Sequence, residues 1–255
     1  MRMDVLEALL LPAAGFAAGA VNAVAGGGTL ISFPALVAAG YTAKVANVTN
    51  TVAIWPGYVG GSAGYRDELS RQGRRLAILA IPSVLGALVG AALLLQTSEA
   101  SFEQIAPFLV LFAAALLAFQ SQLTDFASHH QIGSRGGDHL PPVLLGALFL
   151  TGIYGAYFGA GLGIMNFAVL MILLPDDIQH SNALKTALSL VVNGIAAVAF
   201  VLFGPVAWLP ALIMGGAALA GGYIGVSIAR RLGPVWLRRA VIGFAVVFAV
   251  AMFVS

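Results

Sequence analysis

Two short polar triplets carry most of the chemistry this chain could do. Asn47, Asn50 and Thr51 lie in one apolar stretch, and Asn182, Lys185 and Thr186 lie in another. Spacings of three and four place each triplet on one face of a helix. Carboxamides and hydroxyls are costly in hydrocarbon without partners, so both faces should point into the protein. They suit two roles. One is hydrogen bonding between helices; the other is a cradle that donates hydrogen bonds to a small oxyanion. Lys185 takes the place that Asn50 holds in the first triplet. It follows Asp177 by eight residues, about 12 Å of helix at 1.5 Å per residue. Its ammonium either snorkels to the membrane interface or supplies positive charge for an anionic substrate. Asn193, two turns later, shares that face and is placed to line the same path.

Two glycine clusters precede these triplets: Gly26-Gly27-Gly28, followed by Thr29, and Gly159-Ala160-Gly161-Leu162-Gly163. Glycine weakens a helix by about 1 kcal/mol per residue, so each cluster predicts a break. A break deep in a membrane exposes backbone N–H groups at the start of the next helix, and these attract anions. The pairs Gly15/Gly19, Gly86/Gly90 and Gly221/Gly225 instead read as close helix packing. Trp55-Pro56 should kink its helix. Asp176 and Asp177 read as a helix cap in a wet loop. His129, His130 and His139, with Asp125 and Asp138, read as a solvated loop rather than a metal site. No Ser–His–Asp or HExxH pattern is present, and there are no cysteines. Catalysis has little support, and no cofactor is expected.

The surrounding sequence predicts the elements that hold these residues. The chain is 60% hydrophobic and only 9% charged, with a net charge of +2. A soluble domain carries roughly 25% charged residues, so this is an all-α polytopic membrane protein in contact with the lipid bilayer. The weak net charge gives no reason to expect a nucleic-acid partner. Apolar runs predict segments at 5–25, 28–40, 43–64, 76–97 and 102–120, then at 142–160, 162–175, 178–202, 207–229 and 239–255. The second segment of each set is short for a crossing of about 20 residues, so a hairpin that dips into the membrane fits as well as a full span. Eight to ten segments result. The sets echo each other at an offset of 135 residues, the separation of Gly26 from Gly161, of Asn47 from Asn182 and of Gly86 from Gly221. This predicts a first membrane repeat at 1–120, a connecting loop at 121–141 and a second repeat at 142–255. Each repeat is a glycine-broken helix pair or hairpin plus three transmembrane helices.

Charge predicts how the repeats face. Arg66, Arg71, Arg74 and Arg75 share one connection, and Arg230, Arg231, Arg238 and Arg239 share another. Both should be cytoplasmic. The repeat-equivalent stretches, 200–210 and 95–104, contain no Lys or Arg, and the latter carries Glu99 and Glu103. The two repeats should therefore have inverted topology, with both termini outside. Arg2 and Lys44 then fall outside, and Lys185 falls within a span.

The chain resembles the sulfite exporter TauE/SafE family, also called the toluene-sulfonate uptake permeases. In the first copy the resemblance is carried by Gly19, Asn22, Gly26-Gly-Gly-Thr29, Pro34, Ala46-Asn-Val-Thr-Asn50, Pro56-Gly57 and Tyr65-Arg66. In the second it is carried by Tyr154-Gly155, Gly159-Ala-Gly-Leu-Gly163, Asn182-Ala-Leu-Lys185 and Asn193. It implies a multi-pass permease of the bacterial cytoplasmic membrane for small sulfur-containing or organic anions. The expected function is thus a secondary transporter of a small anion working by alternating access, with a proton or sodium ion as a candidate coupling ion. Its substrate should lie between Gly26–Gly28 and Gly161–Gly163, lined by Asn22, Thr29, Asn47, Asn50, Thr51, Asn182, Lys185, Thr186 and Asn193. An anion channel and a non-transporting membrane assembly protein are the alternatives. The sequence leaves the oligomeric state and the direction of transport open.

Overall fold

The structure, a computed structural model, describes residues 5–24, 26–129, 140–174, 178–231 and 235–254. All of its regular elements are helices: α1 (Val5–Val24), α2 (Thr29–Ala38), α3 (Ala43–Gly64), α4 (Arg66–Ser70), α5 (Gly73–Gln96) and α6 (Glu99–Ala118). They continue as α7 (Gln120–His129), α8 (Pro142–Tyr157), α9 (Leu162–Leu173), α10 (Ile178–Phe203), α11 (Trp208–Arg231) and α12 (Val235–Val254). Four of them, α5, α6, α10 and most of α11, are long and apolar enough to cross a membrane. Helix α3 has the length, at 22 residues, but carries the first polar triplet.

Ten helices match the expected segments, and two were not expected. Helix α4 forms within the first arginine-rich connection, and α7 occupies the first part of the stretch read as a loop at 121–141. The short second segments appear as α2, with 10 residues, and α9, with 12. The 135-residue offset holds from α3 and α10 onward, and α5 and α11 match it end to end. Before that point the register differs. Helices α1 and α8, and the junctions after them, correspond at 133, the separation of Gly26 from Gly159. Gly26, Gly159 and Gly161 all have positive φ, at +86°, +81° and +80°, so conformation does not choose between the last two. Because α1 and α8 end at 24 and 157, and α2 and α9 begin at 29 and 162, the counterpart of Gly26 is Gly159, not Gly161, and the two extra residues fall in the longer α9.

The halves are interwoven. Helix α11 of the second half packs against α1 and α3 of the first, while α5 of the first half packs against α8 and α10 of the second. Glycine and alanine line these contacts. A Cβ on Gly86 would lie 2.1 Å from the Phe149 carbonyl oxygen, and one on Gly221 would lie 2.1 Å from that of Phe16. Lipid tails give no hydrophobic drive for helix association, so close backbone approach supplies the packing. The opposite faces carry the bulk: Ile81, Leu85 and Leu88 on α5, and Leu212, Leu219 and Ile224 on α11, are exposed.

Contact order along these pairs fixes the helix directions. Gly15 meets Met214 and Ala20 meets Gly225, so α1 runs with α11; Gly57 meets Ala218 and Gly64 meets Val226, so α3 does too. Gly86 meets Phe149 and Gly90 meets Ile153, so α5 runs with α8. Against these, Val48 meets Gly204 and Gly61 meets Thr186, so α3 and α10 run in opposite directions. At one end of the molecule Lys44 ties the helices together. Its ammonium donates to the Leu95 carbonyl at 3.2 Å and to the Thr97 carbonyl, while its backbone N–H donates to Glu99 Oε1 at 3.0 Å. A cation thus meets the carbonyl end of α5 and a carboxylate meets the amide end of α3, each favoured by the helix dipole.

Candidate substrate-binding site

The two helix breaks meet at the centre of the fold. Gly26 and Gly163 pack backbone to backbone, and a Cβ on either would lie 2.7 Å from the other's Cα. The space between the breaks, where a substrate was expected, is closed at this point. Positive φ at Gly26 makes the contact attainable, since a side chain would be both strained and obstructed there. Gly28, by contrast, keeps an ordinary right-handed helical backbone. Its amide donates to Asn22 Oδ1 at 2.8 Å, so one N–H of the α2 start is already engaged.

The polar faces of α3 and α10 flank this centre, and each reaches both breaks. On α3, Asn47 Nδ2 donates to the Tyr157 carbonyl at 2.9 Å, at the end of α8. One turn later, Asn50 Nδ2 is 3.4 Å from Thr29 Oγ1, at the start of α2. On α10, Lys185 Nζ is 3.4 Å from the Ala23 carbonyl oxygen at the end of α1. Asn193 Oδ1 faces Gly159, after α8. The stretch from Lys185 to Asn193 covers about 12 Å at 1.5 Å per residue. Asn22, Thr29, Asn47, Asn50, Thr51, Lys185, Thr186 and Asn193 are all buried, while Asn182 is half-buried.

The expected donors differ in what they have left to offer. Thr51 and Thr186 donate their hydroxyl protons to the carbonyls of Asn47 and Asn182, four residues back, at 3.1 and 2.8 Å. They retain lone pairs but no proton for an anion. Lys185 differs. Its side chain is 2% exposed, its ammonium has three protons, and no acidic group pairs with it among the described residues. Its position at the carbonyl end of α1 agrees with the helix dipole. Asn22 Nδ2 has no partner among the described residues.

Several further polar groups lie on the helices that flank the breaks. Ser189 lies one turn from both Lys185 and Asn193, is buried, and has a hydroxyl without a partner among the described residues. The signal was present in the sequence as the run Ser181, Lys185, Ser189, Asn193, spaced by four. Tyr58 on α3 also has an unpartnered buried hydroxyl, and its sequence equivalent at an offset of 135 is Asn193. Beside the second break, Thr151 Oγ1 and Asn166 Oδ1 are 2.8 Å apart, and the Tyr154 hydroxyl donates to the Ala160 carbonyl at 2.7 Å. Buried polar atoms without partners cost about 1–3 kcal/mol each. Most of those among the described residues lie on α1, α3, α9 and α10. Of the groups read as solvated, Asp125 is exposed on α7. His130, Asp138, His139, Asp176 and Asp177 lie outside the described residues.

At the end of the molecule that holds Lys44, a cavity of about 720 Å³ opens among α2, α3, α6 and α12, lined by Tyr41, Thr42, Glu103, Gln104 and Met252 among others. Thr42 and Ala43 in its wall lie about one turn before Asn47.

The model of the family described as "Sulfite exporter TauE/SafE" matches residues 11–252. The chain belongs to that family. The transporter is also similar to a probable membrane transporter protein of Haemophilus influenzae, 27% identical over 89% of this chain and 87% of the relative. It is 26% identical to the probable membrane transporter protein ORF9 of a Sinorhizobium species, over 83% of this chain and 79% of the relative. With the probable membrane transporter protein YfcA of Escherichia coli K12 it shares 25% identity, over 84% of this chain and 76% of the relative. No solved structure matches the chain.

Proposed function

We propose that this transporter carries a small oxyanion, of the size of sulfite or a simple sulfonate, by alternating access across the bacterial cytoplasmic membrane. The observation that carries this reading is Lys185, a buried ammonium at the centre of the fold with no acidic partner among the described residues. A buried cation is stabilised by an opposite charge, and a substrate anion supplies one. The family's description as a sulfite exporter agrees in charge and size.

Two inverted-topology repeats are supported by the opposed directions of the equivalent helices α3 and α10 and by the shared direction of α1, α3 and α11. The end of α3 and the C-terminal part of α11 lie side by side, as the Gly64–Val226 contact requires. The two arginine-rich connections follow from these helix ends, which supports one cytoplasmic face for both and external termini. The cavity near Lys44 would then open to the outside, and the Gly26–Gly163 contact would be part of the closed barrier. Rocking of α1, α3 and α11 against α5, α8 and α10 would expose Lys185 to either side in turn.

Counterflow in proteoliposomes tests this. Vesicles loaded with unlabelled sulfite should take up labelled sulfite transiently, with saturation, and thiosulfate or a short sulfonate should compete. Uptake equal to that of protein-free vesicles for all three anions would refute the proposal, and non-saturable flux would indicate a channel.

A further inference from the structure

The two breaks are related by sequence, but the polar groups at the ends of α1 and α8 differ; farther from those ends, Asn50 Oδ1 is an acceptor and Asn166 Nδ2 a donor without partners among the described residues. Carboxamide orientation decides this, because three of the asparagines face backbone groups that accept only one end of the amide. Asn22 receives the Gly28 amide on Oδ1, so its Nδ2 remains as a donor beside the α1 end. Asn47 donates Nδ2 to the Tyr157 carbonyl, and Asn193 donates Nδ2 to the Ser189 carbonyl at 3.0 Å. Their Oδ1 atoms are left as buried acceptors without partners among the described residues. The α1 end therefore carries a lysine and a donor amide, whereas the α8 end has two acceptors, Asn47 Oδ1 and Asn193 Oδ1, without partners among the described residues.

The α8 end also lacks the charge its equivalent has. The ammonium of Lys185, from α10, meets the carbonyl end of α1, whereas the neutral carboxamide of Asn47, from α3, meets the Tyr157 carbonyl at the end of α8. The sequence equivalent of Lys185 is the neutral Asn50. The carbonyl end of a helix carries roughly half a negative charge; here Asn47 Nδ2 meets the Tyr157 carbonyl, while Asn47 Oδ1 and Asn193 Oδ1 have no partner among the described residues. Beside Gly159 the neighbouring atoms are oxygens. Among the described residues, its chain neighbours aside, two atoms approach within 4 Å of the position a Cβ would take, the Gly155 carbonyl oxygen at 3.1 Å and Asn193 Oδ1 at 3.8 Å. At Gly26 and Gly28 the same position is blocked by backbone.

We propose that the α8–α9 break is a binding site for a sodium-sized monovalent cation. Asn193 Oδ1 and the Gly155 carbonyl are its ligands, and Asn47 Oδ1 adds to the acceptor field. The ion takes the electrostatic place at α8 that the Lys185 ammonium takes at α1. Neutral oxygens from carbonyls and carboxamides suit a weakly charged metal ion. Helices α8 and α9 contain no acidic or histidine side chain, so this break has no carrier for a proton. Carbonyl ends of broken helices serve cations in other inverted-repeat transporters. This inference rests on the transporter reading and makes the bound cation its coupling ion.

The test is a sodium chloride titration of the purified full-length protein, with choline chloride holding ionic strength constant. Tryptophan fluorescence is the readout, because the Trp55 indole donates to the Leu190 carbonyl and abuts Gly194, next to Asn193. A saturable response to sodium, absent with choline and weaker with potassium, is expected. Asn193→Leu should weaken it at least tenfold, and Asn193→Asp should tighten it. Equal responses to all three salts, or Asn193→Leu and Asn193→Asp both within threefold of the parent, would overturn the site. A sulfite-induced thermal shift measured in choline separates the two readings. If sulfite binds and sodium gives no response, only the cation site fails. If neither acts, the transporter reading fails with it.

Discussion

Replacing Lys185 with methionine keeps the length and apolar bulk of the side chain and removes its charge. Two effects follow, and they differ in size. The Ala23 carbonyl loses its donor at 3.4 Å; an unsatisfied buried acceptor costs about 1–3 kcal/mol of stability. That is tolerable in a packed membrane bundle, and Lys185→Gln can restore part of it. The second effect falls on substrate. An ammonium about 4 Å from a unit anion contributes roughly 4 kcal/mol at an effective dielectric constant of 20. At about 1.4 kcal/mol per decade, this is on the order of a 10³-fold loss of affinity. Isothermal titration of sulfite into purified protein in nanodiscs measures it directly, with size-exclusion chromatography as the folding control. Methionine and glutamine variants should elute as the parent does and bind at least 100-fold more weakly. A folded Lys185→Met protein that binds sulfite within threefold of the parent would show that the lysine is only a cap for α1.

Other consequences are open to simpler measurements. Cysteines placed at Ser70 and at Pro234 should both react with a membrane-impermeant maleimide only in inverted vesicles, and opposite labelling of the two would break the inverted arrangement. Gly86→Val puts carbon 2.1 Å from the Phe149 carbonyl oxygen. Because backbone rather than a flexible side chain must yield, the destabilisation should reach or exceed the usual 1–3 kcal/mol of overpacking, seen as loss of monodisperse protein, whereas exposed Gly216 should accept alanine without such loss. Lys44→Met releases the Leu95 and Thr97 carbonyls and should lower the melting temperature in detergent while leaving sulfite affinity unchanged.

The sequence revealed repetition better than it revealed contact. Ten helices and the order in which they recur follow from apolar length and glycine position, both of which are local. The register at the breaks did not follow, because Gly26-Gly27-Gly28 can be laid on Gly159 or on Gly161 with similar merit. Gly26, Gly159 and Gly161 all have positive φ, and only the helix boundaries on either side of the breaks distinguish the two registers. The exchange of α5 and α11 between halves was hidden for a related reason. Small residues four apart announce that a helix will be approached closely, but not by which neighbour. At the site, Lys185 and Asn193 stood out as polar residues in an apolar run, whereas Ser189 between them did not, since a lone serine is tolerated anywhere in a membrane helix. The sorting of donors and acceptors between the breaks was out of reach altogether. It depends on which end of each carboxamide meets a backbone group.

The most direct measurement is the location of a bound anion. Selenite has the charge and shape of sulfite and scatters anomalously. In a crystal of the selenite complex, an anomalous peak within hydrogen-bonding distance of Lys185 Nζ, beside the end of α1 and bounded by α3 and α10, is the predicted result. A peak confined to the arginine-rich face, or to the cavity lined by Tyr41 and Glu103, with none at Lys185 would contradict it.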